Sequence, residues 1–438
     1  MKSITLIIIM NLFMYMPGKA AVGDTLRDAG PIHRALKAVT DIMVHDIYSP
    51  PVASRIYAYV SVAGYEAAVP ADQRYLSLAG QLHSLQPPPS PALGKPCDFT
   101  VAAVEAMLVT AKALVISEDS IERFRLKSIQ EFRKRGITED ELQQSLVYGD
   151  AVAAHILAWA AKDYYRESKS LPQYTVTEDD ASWKPTPPAY MKAIEPNWNK
   201  LRTMVVDSAQ AFKPAPAVAY AADTGSVFYK NAVAVYKAGL QLTPEQIDIA
   251  KFWDCNPFNL NVRGHVMFAT KKISPGGHWI NITRIACEKI QAGVLQTLEA
   301  YAWVAVTIND AFISCWDEKY RSRVVRPETF INRFIDEAWT PLLQTPPFPE
   351  YTSGHSVVSM AAATILNKLF GQSFEFLDAS EMEFGLLARN FSSFEAAAKE
   401  AAISRFYGGI HYMPAIENGV KEGAMLGRFI AAKLVTRK

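Results

Sequence analysis

The chain reads as an all-α protein. Apolar residues recur at helical spacing through most of its 438 residues. Strand-like alternation is scarce, and helix start signals such as Thr243-Pro244, Ser380 and Ser393 stand just ahead of periodic runs. In order, the periodic segments predict helices over Ile32–Ile47, Val52–Ala68, Thr100–Ser117, Ser120–Gly136, Glu139–Tyr165, Ser226–Ala238 and Pro244–Trp253. They continue over Asn281–Tyr320, Pro327–Ala338, Ser356–Leu369, Ser380–Phe391, Ser393–Ser404 and Pro414–Val435.

The interruption is residues 167–224, which carry Pro172, Pro185, Pro187, Pro188, Pro196, Pro214 and Pro216. A segment this long without periodicity is uncommon inside a domain. Trp183 and Trp198 among the prolines predict that it is packed against the body. Cys97, Cys255, Cys287 and Cys315 lack the C-x2-C spacing of thiolate metal sites; export would permit disulfides in any of three pairings, and buried free thiols are the favoured reading. His33, His45, His83, His155, His265 and His278 show no paired metal spacing and read as ordinary side chains.

Lys2, an apolar stretch from Ile4 to Met16, and Gly18-Lys19-Ala20 have the pattern of a signal peptide cut after Ala20, and so predict a secreted or periplasmic protein. The expected organisation is a signal peptide at 1–20, an N-terminal helical part with the proline-rich loop at 21–225, and a C-terminal helical part at 226–438. The net charge of +1 falls to about −1 without Lys2 and Lys19. A neutral surface argues against nucleic acid as partner. The most apolar later run, Ala292 to Ile313, contains Gln296, Glu299, Asn309 and Asp310, so it reads as a bundle helix rather than a membrane span.

Three stretches concentrate the chemistry. They are Lys319-Tyr-Arg-Ser-Arg-Val-Val-Arg326-Pro327, Thr352-Ser353-Gly354-His355, and Ser404-Arg405-Phe-Tyr-Gly-Gly-Ile-His411. Arginine offers a planar fork of donors to oxyanion oxygens, and lysine a compact charge. Lys319 and Arg326 lie seven residues apart, about two helical turns, so both are expected on one helix face. Pro327 disfavours helical geometry before it, which places Arg326 in the last turn of that helix. Ser353-Gly354-His355 precedes an apolar run, so it is expected at a helix N-terminus, where free N–H groups favour an anion. Gly354 lets the backbone come close. Gly408 and Gly409 suggest an irregular turn that returns His411 beside Arg405. Arg321 and Arg323 are expected in solvent.

The order K-x6-R-P, S-G-H, S-R-x5-H resembles the signature of vanadium-dependent haloperoxidases and type 2 phosphatidic acid phosphatases. Ser49-Pro50-Pro51-Val-Ala-Ser-Arg-Ile-Tyr-Ala-Tyr, Phe252-Trp253-Asp254-Cys255-Asn256-Pro257 and Pro275-Gly276-Gly277-His278-Trp279 look like segments of soluble bacterial haloperoxidase-like proteins. The resemblance covers roughly residues 30 to 435. It implies two packed helical bundles acting as one unit, with the oxyanion site in the C-terminal bundle. Lys319, Arg326, Ser353, Gly354, Arg405 and His411 then bind vanadate or phosphate. His411 ligates vanadium, or attacks phosphorus in the phosphatases, and His355 is the acid–base group.

Two positions depart from the pattern: Thr352 stands where many relatives have proline, and Ala415 where many have an aspartate supporting the last histidine. Glu417 is the nearest acid in sequence. Trp316 and Phe348 match aromatic positions that line the pocket in vanadium chloro- and iodoperoxidases. The expected activity is vanadate-dependent oxidation of a halide by hydrogen peroxide, iodide or bromide rather than chloride, with His355 taking the peroxide proton and Lys319 polarising the peroxide. The alternatives are a secreted acid phosphatase that hydrolyses a phosphate ester through a phosphohistidine, and an oxyanion-binding protein without turnover.

Overall fold

The computed structural model describes residues 27–257, 259–263 and 266–438. The signal-peptide region and His265 lie outside the described residues. Fourteen α-helices dominate the described residues. In the N-terminal half these are α1 (Gly30–His45), α2 (Pro50–Ala68), α3 (Phe99–Leu114), α4 (Glu118–Lys134), α5 (Glu139–Ala160) and the single turn α6 (Tyr165–Ser168). The C-terminal half holds α7 (Val227–Leu240), α8 (Pro244–Phe252), α9 (Pro275–Lys289), α10 (Val294–Ser322), α11 (Pro327–Phe334), α12 (Gly354–Phe370), α13 (Phe394–Tyr407) and α14 (Met413–Lys433). Two antiparallel hairpins complete the fold, β1 (Asn259–Arg263) with β2 (Val266–Thr270) and β3 (Phe376–Asp378) with β4 (Arg389–Phe391).

One apolar cluster runs from Ile32 to Leu434 and takes in helices of both halves. Its axis is α10, whose residues are buried on all sides from Val294 to Lys319 except Gln296. A helix apolar all round belongs in the middle of a bundle, and α2 and α12 pack against it. On its far side α12 meets α14 at very close range: a Cβ added at Gly423 would stand 2.2 Å from the Val357 carbonyl oxygen. That approach fixes the height of the α12 N-terminus, which carries Ser353, Gly354 and His355. No described helix is long and apolar enough to cross a membrane.

The proline-rich segment is packed, as expected. Trp183 and Trp198 are fully buried. The carboxylate of Asp310, on α10, accepts hydrogen bonds from the backbone N–H groups of Met204, Val205 and Val206 at 2.6, 2.8 and 3.0 Å. A buried carboxylate is costly unless so satisfied, and here it anchors a loop that has no periodic structure of its own. All four cysteines are free thiols.

Three expectations fail. The run Asn281–Tyr320 is two helices, because the chain turns at Gln291 with φ 53° and restarts from Gly293 as N-cap. Residues 380–391 are the loop of the β3–β4 hairpin, with a 3-10 turn at Met382–Phe384, and strand β4, rather than a helix. Asp378 binds the Ser380 N–H at 2.9 Å and turns the chain there. The helix bearing Lys319 stops at Ser322 with left-handed Arg323 as its cap, so Arg326 is not in its last turn. Arg326 is instead the N-cap of α11, with Pro327 in the first helical position where its missing N–H costs nothing.

Candidate active site

Residues distant along the chain meet at one cavity. Gly354, His355, Arg405 and His411 form its polar floor, and Phe312, Trp316, Phe348, Pro50, Pro275 and Pro346 its apolar wall. Lys319, Arg326 and Ser353 lie beneath, fully buried. The structure therefore brings together all nine residues singled out from sequence.

Ser353 is the N-cap of α12, its hydroxyl accepting from the Ser356 N–H at 3.4 Å, which leaves Gly354 in the first helical turn facing the cavity. A Cβ on Gly354 would stand in that space, 3.7 Å from the Trp316 ring. The turn after α13 uses Gly409 at φ 76°, a conformation that glycine adopts without strain. It returns the chain so that His411 reaches the same cavity as Arg405.

The electrostatics are unusual for a protein interior. Three cations are buried together, where desolvation is expensive unless a negative group compensates. Burial, and then Arg405, hold the Arg326 guanidinium down at about 10, less the opposing pull of Glu350. Burial alone lowers Arg405, and burial brings Lys319 down to about 8. Burial and the neighbouring cations push His411 and His355 well below their ordinary value, so both imidazoles are neutral.

The donors are only partly used. Arg326 gives Nε to the Phe348 carbonyl at 2.9 Å and Nη1 to the Ile410 carbonyl at 2.8 Å, while Nη2 is buried without a partner among the described residues. Arg405 gives Nη1 to the Trp253 carbonyl at 2.8 Å and leaves Nε buried and unpartnered. Nε2 of His355 is likewise unpartnered. Buried donors left empty cost about 1–3 kcal/mol each, more for charged groups, so a cluster of them around one cavity marks a place built for an acceptor. Lys319 differs. Its ammonium donates to the carbonyls of Pro349, Glu350 and Thr352 at 3.0, 3.0 and 2.5 Å, so in this structure its charge acts through space.

Glu350 answers what supports His411, and sequence reasoning missed it. His411 Nδ1 lies 2.8 Å from Glu350 Oε1, which also accepts from the Tyr412 N–H at 3.0 Å. Nδ1 therefore carries the proton. Nε2 presents its lone pair to the cavity side, with Arg326 Nη1 at 3.1 Å. Glu417, the acid nearest in sequence, is exposed. Ala415 uses its backbone, accepting from the Ser353 N–H at 3.1 Å. Thr352 donates its hydroxyl to the buried Glu422 at 2.8 Å. Arg321 pairs with Asp317 and Glu318 and takes no part.

Trp316 and Phe348 stand side by side, ring centroids 4.9 Å apart. The Trp316 indole donates to the Ile194 carbonyl at 3.2 Å, which ties the wall to the proline-rich loop. Phe348 lies over both cations, 5.2 Å from Lys319 Nζ and 5.1 Å from Arg326 Cζ. The other sequence segments of interest also converge here: Pro50, then Cys255, Asn256 and Pro257, then Pro275. His278 is not an ordinary histidine, since it is fully buried between Asp378, Glu381 and Cys255.

Comparison with known proteins agrees with this geometry. The family described as the VCPO second helical-bundle domain matches residues 299–437. A bacterial vanadium-dependent iodoperoxidase of known structure superposes with a TM-score of 0.88 at 48% identity, covering 93% of this chain and 97% of its own. A bacterial vanadium-dependent chloroperoxidase in its holo form shares the fold alone, with a TM-score of 0.65 at 14% identity over 93% of each chain. Its apo form gives a TM-score of 0.67 at 14% identity, over 89% of this chain and 95% of the other. No curated protein matches the sequence. With nearly half its residues identical to those of the iodoperoxidase over almost the full length of both, the chain belongs to the vanadium-dependent haloperoxidase family.

Proposed function

We propose that this enzyme oxidises iodide with hydrogen peroxide, using vanadate held on His411. The carrying observation is a pair of unpartnered buried donors, Arg326 Nη2 and Arg405 Nε, with the equally unpartnered His355 Nε2, gathered beside His411 at the foot of an apolar wall. Such a donor set suits a tetrahedral oxyanion. When bound, vanadate supplies a Lewis-acidic centre at which peroxide becomes an oxidant for halide.

The protein's part follows from its residues. Arg326, Arg405, the Ser353 hydroxyl and the Gly354 N–H satisfy the oxyanion oxygens, and Lys319 adds charge from beneath. Glu350 keeps the proton on Nδ1 of His411, so that Nε2, met here by Arg326 Nη1, keeps the lone pair that would ligate vanadium. His355 is neutral and its Nε2 is empty, so it can take the proton of an incoming peroxide. Trp316 and Phe348 keep water from the floor, which strengthens each hydrogen bond made there. Iodide is preferred because it is large and weakly hydrated, and gives up water to enter an apolar pocket at the least cost. The 48% identical relative is itself an iodoperoxidase.

The test is reconstitution. Apo-protein is loaded with orthovanadate and assayed for peroxide-dependent iodide oxidation, then for bromide and chloride. The vanadate-free protein is assayed on a chromogenic phosphate ester. Iodide oxidation that requires vanadate and disappears in a folded His411→Ala variant supports the proposal. Ester hydrolysis that vanadate inhibits, with no halide oxidation, would replace it with phosphohistidine chemistry. Tight phosphate binding without either activity would leave an oxyanion-binding protein.

A further inference from the structure

A second cluster of ligand-type side chains lies behind the wall of the cavity. Cys255 follows α8, His278 is in the first turn of α9, and Glu381 follows the turn after β3. The three segments are distant in sequence, and all three side chains are buried, at 2%, 0% and 3% exposure. Cys255 Sγ lies 3.4 Å from His278 Nδ1 and 4.0 Å from Glu381 Oε1, and His278 Nδ1 lies 3.2 Å from Glu381 Oε1.

Those separations are close to the edges of a metal tetrahedron. Zinc bound at about 2.3 Å from sulfur and about 2.0–2.2 Å from nitrogen and oxygen sets its ligands roughly 3.3–3.6 Å apart. The 3.4 Å edge falls in that range, the 3.2 Å edge lies just below it, and the 4.0 Å edge needs a movement of a few tenths of an ångström. The donor set of one thiolate, one imidazole and one carboxylate suits zinc rather than magnesium or calcium, which take oxygen ligands.

The surroundings independently resemble those of a metal-bound histidine. His278 Nε2, the nitrogen turned away from the cluster, lies 2.8 Å from Asp378 Oδ2. Histidines that ligate metals characteristically give their other ring N–H to a carboxylate, which fixes the tautomer and the ring. The imidazole also stacks on Trp253 with centroids 4.5 Å apart and planes 19° apart, and it meets Phe252 edge-on. Asp378 is in turn held by the Ser380 N–H at 2.9 Å. Nδ1 is thus aimed at Sγ and Oε1 by contacts that exist without any ion.

We propose that Cys255, His278 and Glu381 bind a zinc-class divalent cation, with Asp378 orienting His278 and a water completing the tetrahedron. The site is separate from the oxyanion site and stands whether or not that reading does. Its place suggests its use. Trp253 accepts from Arg405 through its carbonyl at 2.8 Å, and Cys255, Asn256 and Pro275 line the cavity. A bound ion would tie the two segments that carry this rim to the β3–β4 hairpin. It would also hold the Cys255 thiol as a ligand beside a cavity in which an oxidant is made.

The experiment is elemental analysis of full-length protein produced with added zinc and passed through gel filtration, with vanadium measured in the same sample. About one zinc per chain is expected, falling at least tenfold in both Cys255→Ser and Glu381→Gln. In parallel, cobalt(II) titrated into metal-stripped wild type should give thiolate-to-cobalt charge-transfer absorption saturating at one equivalent, a readout that does not depend on any variant folding. No stoichiometric zinc together with no charge-transfer band would overturn the proposal and leave a hydrogen-bonded cluster. Zinc retained in full by folded Cys255→Ser and Glu381→Gln would overturn it as well.

Discussion

Replacing Glu350 with glutamine tests the support of His411. Glu350 is fully buried and accepts from both His411 Nδ1 and the Tyr412 N–H. Glutamine keeps the shape and one acceptor oxygen but loses the negative charge that faces Arg326 and Lys319. Removing a carboxylate that orients a metal-bound histidine costs about 10–100-fold in affinity or activity, which is about 1.4–2.7 kcal/mol at 1.36 kcal/mol per tenfold.

Stability should change little, and the reason lies in two opposing terms. Burial, first among the causes, raises the Glu350 pKa from 4.5 to about 7. The native state therefore holds its proton more tightly than the unfolded chain. The resulting penalty is absent below about 4.5 and complete above about 7, where it is of order 3 kcal/mol at 1.36 kcal/mol per unit. Glutamine removes that penalty but buries an unpartnered amide, at about 1–3 kcal/mol. The two are comparable, so the variant folds and the affinity can be read cleanly.

The assay is a vanadate titration of the apo-protein at pH 8, followed by triiodide formation and, independently, by the vanadate-induced rise in melting temperature. A tenfold weaker site loses about 1.4 kcal/mol of ligand stabilisation at saturating vanadate. Unchanged vanadate affinity and turnover in Glu350→Gln would refute the supporting role. Glu417→Gln, at an exposed position, should behave as wild type, and a large effect there would point back to the acid nearest in sequence.

Two further outcomes are expected. Phe348→His places a titratable group against the cations and should alter the pH–rate profile or the iodide-to-bromide ratio while vanadate still binds; identical profiles for wild type and variant would make Phe348 a packing residue only. Lys319 is held down to about 8, chiefly by burial. Its native-state charging penalty is complete below about 8 and disappears as pH rises toward its ordinary value of 10.5. Affinity for sulfate, whose own charge is constant, should accordingly fall above pH 8, approaching tenfold per unit, and a flat profile from pH 7 to 9.5 would show that Lys319 does not sense the anion.

What could be read before folding was local. Period and caps gave the helices, with Ser393 capping α13 and Thr243 capping α8 through a capping box. Ser353 was legible as the start of α12 because serine before glycine and an apolar run has one common use. The errors were local as well. Periodicity runs through Gln291, where the chain takes a left-handed turn, and over Ser380–Phe391 it reads as a helix what is a hairpin loop and the short strand β4. The helix start at Pro327 is as the period predicts, but the preceding helix does not reach Arg326. Proline disfavours the residue before it in either case, and left-handed Arg323 supplied the actual stop.

The sequence by itself determined the inventory of the anion site: two arginines, a lysine, two histidines and a capped glycine turn, in an order distinctive enough to name their chemistry. It could not determine their partners, because hydrogen bonds across a bundle follow from where helices cross rather than from spacing along the chain. Tertiary structure decided that Glu350, 61 residues from His411, is the group that sets its tautomer. It decided that Lys319 turns its donors to three carbonyls. It also set Cys255, His278 and Glu381 within ligand distance across more than a hundred residues. Those groups are polar and buried, and a buried polar group takes whatever partner the packing of the apolar helices brings to it.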